Sequence, residues 1–452
     1  MLYFFEGEYR QKLVTADEAV KVVKSNDWIE YAFGLNAPLE LDKALAARKD
    51  ELWNVNIRCD LGVWPKYTSD SDPSGQHFYW NSWHTSGLDR QYYEKGLLSY
   101  IPMKFNELPG MTRNNVVPPR IFMAQVTPMD EHGYFNFGAS ATSCWAAIEK
   151  AECVIVEINN NIPRVLGGNQ EAIHISKIDY IVEGKNPKLP ALPVTEPAEL
   201  EQKIASHIID RLYDGCCLQL GIGGVPNAVG NMVAASDLHD LAVHSEMYVD
   251  AFVKMSQAGK VTGARKRLDM YKQVFSFAFG SQDLYDFIDD NPGVASFSVD
   301  YVNNPYIVSQ IDDFVSVNAC IEVDLFGQVC SESVGTRHIS GTGGQLDFVE
   351  GAYRSEGGQS FICMTSTFEG KEGLMSRIKP ILTPGSIVTV PRTATHMIVT
   401  EYGIAELKGK STWERAEALI DIAHPNFQDE LVRDAEKMKI WRRSNKADIV
   451  AA

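Results

Sequence analysis

The chain has 452 residues, 45% of them hydrophobic and 22% charged, with 34 Gly and 20 Pro. That is the composition of a folded globular protein too long for one core of ordinary size, and it excludes disordered, collagen-like and repeat-tract chains. Fifty-nine acidic residues against 42 basic ones give a net charge of −17, so neither nucleic acid nor an acidic membrane surface is an expected partner.

From the N-terminus, MLYFFEGEYRQKL lacks the basic region and the long apolar segment of a signal peptide. No apolar run approaches the roughly 18 residues that a membrane span requires. Eight cysteines, without C-x-x-C or His/Cys ligand spacing, are expected to be reduced, buried thiols of a cytoplasmic protein with no metal site. Residues 54–120 are rich in Trp, Tyr, Pro and polar side chains. They read as an irregular surface packed by aromatics, with a loop region covering a site as the alternative. CVIVEI at 153–158 is a strand, and the asparagines and glycines of EINNNIPRVLGGNQ form a loop at its end. His174, in Ile173-His174-Ile175, is expected to be a half-exposed strand histidine.

Pro187, Pro190, Pro193 and Pro197 prevent a continuous helix and suit an extended connector. This places an N-terminal domain over 1–186, a linker over 187–199 and a C-terminal domain over 200–452. Glu196-Pro197-Ala198-Glu199 opens a helix, with Leu200, Ile204, Ile208 and Leu212 at helical spacing and Gly215 at its end. Short β-branched runs at 153–158, 314–317, 386–390 and 397–400 alternate with helical stretches. The expected fold is α/β, two open α/β domains with largely parallel sheets.

Candidate chemistry lies in the second half. LQLGIGGVPNAVG at 218–230 reads as strand, glycine turn and helix, a cradle of backbone N–H groups for an anion or oxyanion. A dinucleotide site is the alternative, opposed by Pro226 where the fingerprint requires the third glycine. In LAVHSEMYVDAF, 241–252, the strand Leu241–Val243 delivers His244, Ser245 and Glu246 to its carboxyl end, where ligands gather in open α/β sheets. A carboxylate there serves as nucleophile or general base; a structural surface glutamate is the other reading. A Ser/His hydrolase triad is not expected, because no G-x-S-x-G elbow exists and adjacent His and Ser side chains rarely face each other. Lys260, Arg265, Lys266 and Arg267 form either a phosphate-binding group or a solvated basic loop. SVNACIEVDLFGQV, 316–329, resembles a hairpin with Glu322 and Asp324 on one solvated face. Gly341, Gly343, Gly344, Gly357 and Gly358 form either a nest of N–H donors or a plain turn-rich connection.

Five blocks, in this order, resemble the class I, anhydride-forming coenzyme A-transferases, and more narrowly the acetyl-CoA hydrolase/transferase group. They are EINNNIPR with HISKIDYIVEG, GIGGVPNAV, HSEM, SVNACIEVDLFGQV with GTGGQLDFVEGA, and VTEYGIAELKGKSTWERAEALIDIAHPNF. The resemblance runs from about Glu157 to Leu431, and the group contains butyryl-CoA:acetate and 4-hydroxybutyrate CoA-transferases. It implies an active site between the two domains and a ping-pong transfer of CoA from a short-chain acyl-CoA to acetate. Glu246 is then the nucleophile, passing through acyl-glutamyl anhydride and glutamyl-CoA thioester intermediates. Asn303, or Asn304 in the other register of Val302-Asn303-Asn304-Pro305, holds the carboxylate. Gly221, Gly223, Gly224, Gly341, Gly343 and Gly344 are the oxyanion and CoA-binding positions. No permanently bound cofactor is implied: CoA is a substrate, acyl-CoA and a short-chain carboxylic acid are the partners, and the assembly is a homodimer or homotetramer. An acetyl-CoA hydrolase, which admits water to the same intermediate, and a 4-hydroxybutyrate or propionate CoA-transferase are the alternatives within the resemblance. A nicotinamide-dependent oxidoreductase and a non-catalytic binding module are those outside it. Where typical members read Ser-Asp-Gly after HSEM, this chain has Val249-Asp250-Ala251. The lost glycine is expected to restrict that turn and alter the acyl pocket.

Overall fold

The computed structural model describes residues 4–193, 196–371 and 373–442. Expectations that fall on 1–3, on 194–195 of the linker and on 443–452 lie outside the described residues. Two sheets organise the chain. In the first, seven strands run in the order Leu98–Tyr100, Phe78–Ser82, Val55–Cys59, Trp28–Tyr31, Ile121–Val126, Cys153–Ile158 and Tyr180–Glu183. All neighbours are parallel. Every residue of Ile121–Val126 and Cys153–Ile158 is buried, so these central strands are apolar apart from Gln125 and Glu157, whose side chains bond Ala37 O and Glu40 N–H.

The second sheet has eight strands, ordered Val294–Ser296, Gln273–Ala278, Ala242–Tyr248, Cys217–Leu220, Phe314–Ala319, Gln359–Cys363, Met397–Thr400 and Gly403–Glu406. Only the last pair is antiparallel. The order leaves Cys217–Leu220 in both directions, and such a switch point opens a crevice at the carboxyl ends of the strands. The architecture is the expected mixed α/β one with largely parallel sheets.

Backbone hydrogen bonds and a shared core join the two sheets. Ala278 N–H donates to Ala139 O at 2.7 Å, Val299 N–H to Thr142 O at 3.0 Å, and Phe105 N–H to Gly343 O at 3.1 Å. Phe33, Met103 and Phe105 pack into the same buried cluster as Met247, Phe275 and Phe277. The proline-bearing connector has no regular structure over 185–193, yet it is fastened. Pro187 O accepts from Asn159 Nδ2, Pro190 O from Tyr285 Oη, and Leu192 N–H donates to Gly280 O.

Several local expectations are corrected. Residues 54–120 are not an irregular surface, since they supply three parallel strands of the first sheet. SIVTV at 386–390 is not a strand: it makes one bridge, Val390 to Val329, and Ile387 and Val388 are exposed because nothing covers their β-branched side chains. The helix Glu199–Ile209 stops before Leu212. Glu322 and Asp324 do not face solvent. Glu322 accepts from Thr383 Oγ1 and Ser386 Oγ, and Asp324 from Phe326 N–H and Gln328 N–H, so both carboxylates fasten loops from buried positions. The eight cysteines are free and buried.

Candidate active site

The strand Ala242–Tyr248 pairs with Cys217–Leu220 only through Ala242 and Val243, then continues beside Gln273–Ala278 as far as Tyr248. Glu246 thus projects beyond its shorter neighbour, at the carboxyl end of the sheet. The two residues before it are spent on the backbone. His244 Nε2 donates to Val302 O at 2.8 Å, and Ser245 Oγ donates to Met247 O at 2.8 Å. Burial brings the His244 imidazole down to about 3, so it is neutral with its proton on Nε2.

By gripping Val302, His244 positions the next residue. Asn303 Nδ2 donates to Glu246 Oε2 at 2.5 Å. Asn304 instead caps the short helix Pro305–Val308, its Oδ1 accepting from Tyr306 N–H at 3.0 Å. The register left open by the sequence therefore closes on Asn303. A backbone hydrogen bond from Gly344 also reaches the Glu246 carboxylate. Desolvation outweighs both bonds and raises the Glu246 pKa to about 7, although each bond favours the anion.

The second glycine loop is built against this carboxylate. Gly341, Gly343 and Gly344 lead into the helix Gln345–Arg354, which the glycine-rich sequence had concealed. Its N-terminus carries partial positive charge toward Glu246. Gly343 has φ +53°, a left-handed conformation that a side chain would strain. Hydrogen bonds from several elements hold the loop. Thr85 N–H donates to Ser340 O and Phe105 N–H to Gly343 O, while Thr342 N–H donates to Tyr100 Oη at 3.1 Å. Thr342 Oγ1 donates to Glu332, a buried carboxylate that also accepts from Thr389 Oγ1.

Beside Glu246 and Gly343 is a cavity of about 30 Å³, room for two or three water-sized groups by the usual allowance of about 10–15 Å³ each. Phe33, Leu61, Met103, Phe105 and Phe277 make it apolar, and Asp60 and His84 complete it. The ring centroids of Phe33 and Phe277 are 4.5 Å apart, and those of Phe33 and Phe105 5.5 Å. Burial lowers the His84 pKa to about 4, so its imidazole is neutral. Phe277 apart, this wall comes from the first half of the chain and Glu246 from the second, so the site lies between the two sheets.

The first glycine loop stands apart from the carboxylate. Gly221 N–H donates to Val317 O at 3.1 Å, and Gly223 and Gly224 begin the helix Gly224–Ala235. Together with Ile222, Asn227, Lys254 and Phe279, Gly223 and Gly224 border a separate pocket of about 280 Å³. Val249, Asp250 and Ala251 line that pocket too. Ala251 sits in the helix Asp250–Gln257, a conformation that needs no glycine, so the anticipated restriction of the turn does not arise. Its methyl instead packs against Gly230, where an added Cβ would meet it at 2.4 Å.

The basic cluster divides between a buried lysine and two exposed, ion-paired arginines. Lys266 is buried, with Nζ donating to Val243 O and Lys272 O; Lys260 Nζ donates to Ser236 O; Arg265 pairs with Asp240, and Arg267 with Asp312. His174 ends the strand Ala172–His174 and bonds Ser176, and it does not line the cavity beside Glu246. Among the described residues, no group of three or more His, Cys, Asp or Glu side chains is arranged to hold a metal ion, and no helix is long and apolar enough to cross a membrane.

Sequence reasoning missed Asp60, His84, Tyr100 and Phe105, all within 54–120. The one signal available was the alternation of FYWNS at 78–82, where Phe78, Trp80 and Ser82 are buried and Tyr79 and Asn81 are less so.

Known proteins resemble this chain over nearly its whole length. Residues 3–193 match the acetyl-CoA hydrolase/transferase N-terminal domain, and residues 280–435 match the C-terminal domain. A probable butyrate:acetyl-CoA coenzyme A-transferase of Syntrophomonas wolfei is 66% identical over 97% of this chain and 98% of its own. A butyryl-CoA:acetate CoA-transferase of Anaerostipes caccae is 55% identical over 98% of this chain and 100% of its own. The crystal structure of RipA from Yersinia pestis superimposes with a TM-score of 0.89 at 36% identity, covering 96% of this chain and 99% of that one.

Proposed function

We propose that this chain, which belongs to the acetyl-CoA hydrolase/transferase family, moves CoA from butyryl-CoA or a close short-chain relative to acetate, with Glu246 as nucleophile. It is an enzyme and a CoA-transferase. The choice of butyryl-CoA and acetate rests on what the two similar transferases are named for. The observation that carries the mechanism is the seating of Glu246. One carboxylate is fixed between the Asn303 amide and the Gly344 N–H, at a helix N-terminus, beside a small apolar cavity.

A carboxylate is a weak nucleophile toward a thioester in water, so position and exclusion of water must supply much of the rate. In the proposed cycle a Glu246 oxygen attacks the thioester carbonyl and the C–S bond breaks. The products are an acyl-glutamyl anhydride and CoA thiolate. The thiolate then attacks the glutamyl carbonyl, the anhydride C–O bond breaks, and the first acid leaves as its carboxylate. The glutamyl-CoA thioester that remains is attacked by acetate, and the same two steps in reverse release acetyl-CoA. Each attack places negative charge on a carbonyl oxygen. The N–H groups of Gly343 and Gly344 are the proposed donors to it, and one such donor typically contributes about 3–4 kcal/mol. Gly221, Gly223 and Gly224, at the larger pocket, are proposed to contact CoA, and Gly341 to shape the loop that does so from the other side.

The proposal extends to a cytoplasmic homodimer or homotetramer with no permanently bound cofactor. Eight free, buried thiols support a reducing compartment; light scattering on the purified chain decides the assembly, and a monomer would exclude it. The mechanism is tested by incubation with butyryl-CoA and no acceptor, quenching with borohydride and peptide mass analysis. Glu246 is expected to be reduced to the alcohol, and excess acetate to protect it. An unmodified Glu246 with steady release of CoA would instead mean hydrolysis through another group.

A further inference from the structure

Among the described residues, Asp60 is the one carboxyl group with both oxygens buried and without a hydrogen-bond partner. It follows directly on the strand Val55–Cys59, is 3% exposed, and lines the cavity that also holds Glu246. The donors on neighbouring residues make other bonds. Leu61 N–H donates to His84 O, Lys66 is paired with Asp89 and Arg58 with Glu30. Asp347, another buried carboxyl group near Glu246, has the opposite arrangement: its oxygens accept from Asn106 N–H at 3.1 Å and Asn106 Nδ2 at 3.0 Å.

An unpartnered buried polar group is costly, and folding alone gives no reason for it. Burial pushes the Asp60 pKa well above the usual carboxylate range; the charges of Asp89, Glu246 and Glu30 act the same way, and the Leu61 backbone N–H opposes them without reversing the direction. A protonated Asp60 carries one O–H donor with no acceptor in the protein.

We propose that Asp60 is a second catalytic carboxyl group of this site, donating its O–H to the carboxylate of the short-chain acid that lies in the cavity beside Glu246. The proposal rests on the transferase reading above. There the acid must enter as an anion, because the anion is the form that attacks the glutamyl-CoA thioester, and it leaves as an anion beside a regenerated Glu246. Two carboxylates in a poorly solvated cavity repel each other. An O–H donor offsets that repulsion with a charge-assisted hydrogen bond. The proton stays on Asp60 throughout, so no step gains or loses one.

Steady-state exchange between butyryl-CoA and acetate, with the full chain, separates this proposal from the one beneath it. A wild-type protein that catalyses no exchange overturns the transferase reading itself. With wild type active, Asp60→Leu is expected to raise the KM for acetate at least about tenfold, with the KM for butyryl-CoA changed by less than about twofold. Asp60→Asn, whose amide keeps an N–H donor, is expected to hold the acetate KM within about threefold of wild type. An unchanged acetate KM in Asp60→Leu, or an Asn variant as impaired as the Leu variant, overturns the role of Asp60. Should Asp60→Leu fail to fold, infrared difference spectra of wild type decide. A carbonyl band of a protonated carboxyl group that shifts when acetate is added, and is missing from Asp60→Asn, supports the proposal; absence of such a band overturns it.

Discussion

A Cβ on Gly344 would stand 1.8 Å from Glu246 Oε2 and 2.2 Å from Asn303 Nδ2. The carboxylate reaches the start of the helix Gln345–Arg354 only because residue 344 has no side chain. Gly344 has φ −95°, a conformation open to any residue, so an added methyl should disturb the site and spare the fold. Gly344→Ala is expected to lower kcat by about 10²–10³, the loss seen when one preorganised donor is removed, with Tm nearly unchanged. Exchange assays beside thermal melts check both; near-normal turnover would show that the carboxylate need not sit there.

Glu246 supplies a prediction in pH. Its folded pKa of about 7 lies above the ordinary 4.5, and the anion is the attacking form. The value of kcat/KM for butyryl-CoA should therefore fall as pH drops through about 7. Asn303→Ala removes a bond that favours the anion, so the acid limb of its profile should move to higher pH.

The same shift has a sign in stability. Between about pH 4.5 and about pH 7 the folded state binds more protons than the unfolded one, so stability declines as pH rises across that window. Glu246→Gln cannot ionise and should be the more stable protein above about pH 7. The gain is at most about 3 kcal/mol, less the relief that partial contact with solvent already provides, and it vanishes below about pH 4.5. Denaturant titrations of both proteins at about pH 5 and about pH 8 give the comparison. Equal stability at the higher pH would mean the carboxylate is not strained by burial.

Beneath Asp60, Lys66 Nζ lies 3.0 Å from Asp89 Oδ1, both side chains no more than 4% exposed, and 3.8 Å over the Trp80 ring. Asp89 also accepts from Gly62 N–H and Ser86 N–H, so the pair fastens the turn after Asp60 to the helix Gly87–Glu94. Lys66→Met leaves Asp89 buried and unpaired, a change that costs about 3–5 kcal/mol; pairing it with Asp89→Asn should recover part of that. A single variant as stable as the double one would show that the ion pair is not what holds this turn.

How much of this was legible follows from particular residues. Glu246 was readable because the apolar run of its strand changes to His-Ser-Glu where pairing with Cys217–Leu220 stops, although the strand itself runs on to Tyr248 rather than ending at Val243. Asn303 was readable only to within one residue, since its partner is 57 positions away and the neighbouring Asn304 suits a cap equally well. The helix after Gly344 was hidden between the glycines that flank it, Gly341, Gly343 and Gly344 before and Gly357 and Gly358 after. Gly351, inside it, lets the helix approach Val308, which a Cβ there would meet at 2.6 Å. Asp60, His84 and the Lys66–Asp89 pair were illegible for a different reason. Polar side chains that the fold buries far along the chain from their surroundings look like surface in one dimension, and so 54–120 read as irregular.

The acyl pocket yields the last prediction. Its about 30 Å³ takes two or three water-sized groups, the size of an acetyl group, and a butyryl chain requires a side chain to yield. Phe33, Phe105 and Phe277 are locked in ring contacts, and truncating any of them would cost about 3–5 kcal/mol through the cavity left behind. Met103, unbranched and flexible, can move at least cost. Met103→Ala is therefore expected to raise the kcat/KM ratio of hexanoyl-CoA over butyryl-CoA about tenfold, since two more buried methylenes contribute about 1.6 kcal/mol. The ratio, measured with acetate as common acceptor, cancels any general loss of activity. An unchanged ratio would mean that the chain does not lie against Met103. The acyl tail would then have to extend toward the pocket of about 280 Å³ beside Gly223, where Phe279 and Ala251 would become the residues that set chain length.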